Sequence, residues 1–284
     1  MRSSLSVALI AGACATGSAN AELVFGVTLN QSLITFDSAA PGSILSGVPI
    51  MGLQPNETIH GIDIRPATGQ LYALGSFSRL YTINPATGQA TQVGPAFATP
   101  LNGSSFGFDF NPTVDRIRVI SDVDQNLRLH PDTGGVTVDG TLAYVPADSN
   151  AGVNPNAVAA AYTNSRPGAT STTLFVLDTG LDILAVQNPA NSGTLTTIGP
   201  VGTDLSDFTG FDISGASGSA FAAVRDVSLA RTTFWSINLG TGAGSMIGEV
   251  GGGAILTAMT VAPAPGTLAL LAGLPFLSRR ARAR

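Results

Sequence analysis

One six-residue phrase, Gly61-Ile62-Asp63-Ile64-Arg65-Pro66, returns 46 positions later as Gly107-Phe108-Asp109-Phe110-Asn111-Pro112. A second phrase keeps the same interval, Asn84-Pro85-Ala86-Thr87-Gly88 becoming His130-Pro131-Asp132-Thr133-Gly134. Gly210-Phe211-Asp212-Ile213 and Asn238-Leu239-Gly240-Thr241-Gly242 form a later copy, and a worn copy runs from Val158–Tyr162 to Leu174–Gly180. Such a period constrains the chain strongly. Each unit is one supersecondary element that can bury its faces only by stacking on its neighbours.

Each unit reads as strands and turns. Gln70–Leu74, Arg79–Ile83 and Ala90–Val93 are short apolar or alternating runs, helical periodicity is absent, and Gly or Pro interrupts at short intervals. In the Asn-Pro-Ala-Thr-Gly turn, Pro fixes φ, the Asx side chain caps local amides, and Gly takes the left-handed position. A period of about 40–50 residues with four strands per copy is the text of a propeller blade. The expected fold is therefore all-β, a single β-propeller of five blades. Units begin near residues 58, 105, 156 and 208. Leu23–Ile50 and Ile255–Val261 share the closing blade, which removes the open edge an unclosed ring would leave. Six blades, or a pair of β-sandwiches, are the alternatives.

The ends carry processing signals. Residues 1–21 read as a signal peptide, with Arg2, a short apolar core Leu5–Ala13, and an Ala19-Asn20-Ala21 cleavage site before Glu22. Lipidation at Cys14 is the competing reading. The domain is expected over residues 22–262. Residues 263–284 join Pro263-Ala264-Pro265 to an apolar run and the Arg279, Arg280, Arg282, Arg284 cluster. This tail resembles the PEP-CTERM sorting signal of Gram-negative bacteria, with Ala264 in place of Glu and Pro275 inside the apolar run. The resemblance implies an exosortase-type processing partner and only transient membrane contact, the Arg cluster holding the cytoplasmic side.

All 13 basic residues are Arg, and five of them lie in these ends. Processing would leave eight Arg against 18 acidic residues, moving the net charge from −5 to about −10. Such a body repels nucleic acid and anionic lipid. Without Lys there is no Schiff-base chemistry, and with Cys14 confined to the leader the domain holds no thiol nucleophile or Cys-ligated zinc.

The middle of the chain resembles the DUF4394 domain, a bacterial family of unknown function. The phrases that carry this are Gly107–Pro112, Asp115-Arg116-Ile117-Arg118-Val119, Asn126-Leu127-Arg128-Leu129, Asp139-Gly140, Ala161–Asn164 and Thr173–Asp178. The resemblance implies a secreted, propeller-like domain. It carries over no catalytic residue and no cofactor.

Few residues offer chemistry. Asp63, Asp109 and Asp212 recur at one position of the repeat; they are expected to accept backbone N–H groups and lock adjacent blades rather than to bind metal. Asp122-Val123-Asp124-Gln125-Asn126 opens like a calcium loop but has Leu127 at its sixth position and Thr133 at its twelfth, so it is expected to be a turn. Gly103-Ser104-Ser105-Phe106-Gly107 has the spacing of a nucleophile elbow, yet strand text follows where a helix is needed. His130 occupies the turn position of Asn84, while His60 precedes a strand and can face the central channel.

The densest polar group is Asp115, Arg116, Arg118, Asn126 and Arg128, with Tyr162 and Asn164 in the next unit. Alternation places Arg116 and Arg118 on one face. Arg118 and Arg128 on adjacent strands would bind a carboxylate or sugar acid, or else form an internal network with Asp109, Asp115, Asp122 or Asp124. The candidate ligand-binding residues are Asp115, Arg118, Asn126, Arg128, Tyr162 and Asn164; no catalytic residue or metal ligand is assigned. The expected function is an exported, non-catalytic binding or matrix protein with a glycan or protein partner. The alternatives are a secreted polysaccharide hydrolase or lyase using Asp pairs, or a metal-dependent propeller enzyme.

Overall fold

The computed structural model describes residues 21–226 and 228–262. The chain opens with β1 (Leu23–Thr28), β2 (Ser32–Asp37) and β3 (Ala40–Pro49). Blade 1 follows as β4 (Ile59–Ile64), β5 (Leu71–Gly75), β6 (Arg79–Ile83) and β7 (Ala90–Val93). Blade 2 is β8 (Phe106–Asn111), β9 (Arg116–Ser121), β10 (Asn126–Leu129) and β11 (Val136–Val138). Blade 3 is β12 (Ala143–Tyr144), β13 (Ala157–Tyr162), β14 (Leu174–Asp178), β15 (Ile183–Gln187) and β16 (Thr194–Pro200). Blade 4 is β17 (Gly210–Ile213), β18 (Ala220–Asp226), β19 (Arg231–Ile237) and β20 (Gly244–Glu249).

The last strand, β21 (Leu256–Val261), joins the first three in the order β21-β1-β2-β3. Val24 pairs with Val261 and Thr28 with Leu256, and the Ala262 N–H donates to the Leu23 carbonyl at 2.7 Å. Five small sheets thus form a five-bladed propeller whose closing blade is shared by both ends of the domain. The expected unit starts precede β4, β8, β13 and β17 by one or two residues.

Blade 3 departs from the four-strand pattern. β12 pairs in parallel with β16 and covers its outer edge. Buried Tyr144 anchors it, donating its hydroxyl to Asp178 at 2.6 Å.

The turns behave as their composition dictates. Gly88, Gly134 and Gly242 take φ of 72°, 68° and 83°. Asn84 Oδ1 accepts the Ala86 N–H at 2.9 Å, and His130 Nδ1 does the same for Asp132 at 3.2 Å. His130 is therefore a turn residue.

The apolar residues form five clusters, one between each pair of adjacent blades, so every blade buries both faces. Strands β4, β8, β13, β17 and β21 line the axis and touch one another there. The Gly that opens each repeat phrase makes this approach possible. A Cβ on Gly107 would lie 2.8 Å from the Ala160 nitrogen and 2.9 Å from the Ala159 carbonyl carbon. Gly107→Ala is therefore expected to push blades 2 and 3 apart and lower stability by about 1–3 kcal/mol, read as the urea midpoint. An unchanged midpoint would show that the ring relaxes freely.

The leader with Cys14 and the tail with Pro263 and Pro265 lie outside the described residues. Of the cleavage junction, Ala21 is exposed, while Glu22 is buried with its N–H on Ser38 Oγ at 3.0 Å. Among the described residues no helix is long and apolar enough to cross a membrane.

Candidate functional site

The repeat phrase places Asp63, Asp109 and Asp212 on β4, β8 and β17, where they meet at the axis. Each can present one oxygen within 4.8 Å of the others, and each is 3% exposed or less. They clasp blades in sequence around the ring. Asp63 accepts the Phe110 N–H at 2.7 Å, Asp109 that of Tyr162 at 3.0 Å, and Asp212 that of Val261 at 2.6 Å. Ala161 and Thr260 occupy the same position in blade 3 and the closing blade.

Thr260 Oγ1 lies 2.9 Å from Asp63 and 2.8 Å from Asp212. One hydroxyl proton cannot serve two carboxylates, so either a carboxyl of the set carries a proton and donates, or a cation takes that proton's place. Burial first, and mutual repulsion for Asp63 and Asp109, hold these pKa values above the ordinary range; for Asp212 burial dominates. The three carboxylates with Thr260 are hard-oxygen donors of the kind a cation takes, but five of the six carboxylate oxygens already accept a backbone N–H. The geometry is that of an interblade lock.

A second constellation lies on the face where the innermost strands end, in the groove between blades 2 and 3. Strand register makes Arg118 and Arg128 direct partners across β9 and β10. Asp139, just after β11, bridges them: it accepts from Arg118 Nη1 at 2.7 Å and from Arg128 Nε and Nη2 at 2.6 and 3.0 Å. Arg118 is 1% exposed, with further bonds to Asn126 Oδ1 at 2.6 Å and Asn191 Oδ1 at 2.7 Å and a longer one to the Tyr162 hydroxyl at 3.5 Å. Asn126 in turn donates to the carbonyls of Gly140 and Ala190.

Arg118 is thus largely consumed internally, which corrects the expected acid partner. Asp109 sits opposite Arg118 across β8 and β9 but spends an oxygen on Tyr162; Asp122 takes the Ser104 N–H. The partners that sequence reasoning missed, Asp139 and Asn191, are 21 and 73 positions away.

Above this floor is a cleft of about 310 Å³ lined by Arg116, Arg118, Arg128, Asn111, Tyr162 and Asn191. Three of the domain's eight Arg converge there against the single carboxylate of Asp139. Arg128 Nη1 has no partner among the described residues, and Arg116 bonds only backbone carbonyls of Val114 and Asp115. Arg116 and Arg128 Nη1 present only donors to the cleft. The cleft is suited to an anionic group.

Three candidate residues do not line it: Asn126 lies buried beneath it, spent on Arg118, and Asp115 and Asn164 lie elsewhere. Asp115 pairs with Arg65, which also holds Asp132 and thereby ties blade 1 to blade 2; Arg65 draws the Asp132 carboxyl below its usual range. Asn164 is exposed at φ 58° in the β13–β14 turn, bonded to the Ser171 carbonyl. Asp122–Gln125 form the β9–β10 turn, and Ser105 leads directly into β8, not into a helix.

A family model described as "Domain of unknown function (DUF4394)" matches residues 32–260. A search of curated proteins found no match. Among solved structures, a Lactobacillus plantarum structural-genomics target is 20% identical, covering 84% of this chain and 71% of its own, at a TM-score of 0.39. Myxococcus xanthus glutaminyl cyclase is 12% identical, with 67% and 76% covered and a TM-score of 0.43. Kuenenia stuttgartiensis hydrazine synthase is 11% identical, with 72% and 52% covered and a TM-score of 0.40. Likeness at these values carries no functional argument.

Proposed function

We propose, from the premise that this chain belongs to the DUF4394 family, that it is an exported, non-catalytic binding protein of the cell envelope or exopolysaccharide. Its cleft between blades 2 and 3 receives an anionic group, such as the carboxylate of a sugar acid or of a matrix protein. The observation that supports this is the convergence of Arg116, Arg118 and Arg128 on one open groove of an otherwise acidic body. The leader at residues 1–21 and the PEP-CTERM-like tail at 263–284 support export and processing in a Gram-negative bacterium. A hydrolase or lyase using the axial carboxylates gains no support, because Asp63, Asp109 and Asp212 are too deeply buried to meet a glycosidic bond.

Isothermal titration with oligogalacturonate tests the cleft. Binding is expected to weaken with salt, and Arg116→Ala or Arg128→Gln should reduce it about tenfold or more, the order of one lost charge-assisted contact. Equal affinity in the wild type and both variants would eliminate the cleft as the site.

A further inference from the structure

We propose that the opposite mouth of the axial channel is a separate site for the end of a neutral carbohydrate, one sugar ring entering along the axis. At the end where the innermost strands begin, all five blades contribute to a funnel of about 140 Å³. Gln31 comes from the closing blade, His60 from blade 1, Ser105 from blade 2, Val158 from blade 3, and Asp207 and Phe208 from blade 4. The channel then tightens to about 20 Å³ where Gly61, Gly107 and Gly210 face one another. A blind funnel of this shape admits a chain end and stops a threading polymer.

The polar groups are mixed in sense, as hydroxyl groups require. Asp207 Oδ1 is fixed by Asn156 and Thr179, both at 2.8 Å, leaving its other oxygen as an acceptor. Gln31 Oε1 holds the Ile59 N–H at 2.8 Å, which leaves the amide nitrogen as a donor. The His60 ring packs edge-on against Phe106 at 5.3 Å; burial lowers its pKa against the pull of Asp122, so it is neutral and offers one donor and one acceptor. Phe208 is 42% exposed and backed by the Arg225 guanidinium at 4.5 Å, giving a stiff apolar plane for the C–H face of a sugar. The nearby carboxylates of Asp207 and Asp122 disfavour acidic sugars here, the reverse of the Arg cleft.

His60 and His130 are the chain's only histidines, so their ring resonances are assigned by one substitution each. The purified full chain is titrated with glucose, galactose, mannose and their methyl glycosides while both rings are followed by NMR. A saturable shift of His60 alone is expected for at least one sugar, and His60→Phe, folded by circular dichroism, should weaken its binding about tenfold or more. No shift at tens of millimolar sugar, parallel shifts of both rings, or full affinity in His60→Phe would overturn the proposal. Arg116→Ala should leave this binding intact, so failure here is separable from failure of the anion cleft.

Discussion

Replacing Arg118 by Met is expected to cost about 3–5 kcal/mol of stability, because a buried ion pair is broken from one side. Met fills much of the aliphatic volume but leaves Asn126 Oδ1 and Asn191 Oδ1 without their donor and strips one of two cations from Asp139. Arg128 cannot compensate; it already uses two nitrogens on the same carboxylate. Urea unfolding measures the effect. Adding Asp139→Asn to Arg118→Met should cost less than the two single losses together, since both act on one network. A loss below about 1 kcal/mol for Arg118→Met would mean that the network is ornamental and that the guanidinium is free for ligand.

The second large effect is on pH dependence. The carboxyls of Asp63, Asp109 and Asp212 have folded pKa values above the ordinary range. The folded chain therefore holds protons that the unfolded chain has released, and stability falls as pH rises from about 4 through the raised folded values. The melting temperature is expected to be higher near pH 5 than near pH 8. Asp109→Asn keeps an oxygen for the Tyr162 N–H while removing one of three repelling charges. It should raise the pH 8 melting temperature by about 2–4 °C per kcal/mol relieved and shrink the drop between the two pH values. Calcium that raised the wild-type melting temperature at pH 8, but not that of Asp109→Asn, would show a cation in place of the protons. A wild type equally stable at both values, with no response to calcium, would refute the charge repulsion itself.

The architecture was legible because its causes are local and repeated. A Gly that admits a neighbouring backbone, an Asp that clasps the next blade and an Asx-to-Gly turn each occur at a fixed interval. Blade 3 was harder to read since Ala161 stands where the Asp would be, and β12 reaches β16 through a parallel pairing that leaves no periodic trace. The cleft was half visible. Alternation predicted Arg116 and Arg118 on one face, but the partners of Arg118 come from a strand end and from another blade. Proximity in sequence points to the nearby acids, but Asp115 is taken by Arg65, Asp109 by the Tyr162 N–H and Asp122 by the Ser104 N–H. Thr260 completes the axial ring from the far end of the domain, where no repeat phrase marks it.

Closure by β1 and β21 has a mechanical corollary. The chain enters at Glu22 and departs beside Ala262, on neighbouring antiparallel strands. Tension drawing those two points apart loads the seam one rung at a time, like a zip, because both are at the same end of the β1–β21 ladder. The same adjacency would let a short peptide join the two ends while the circle is cut open at another blade.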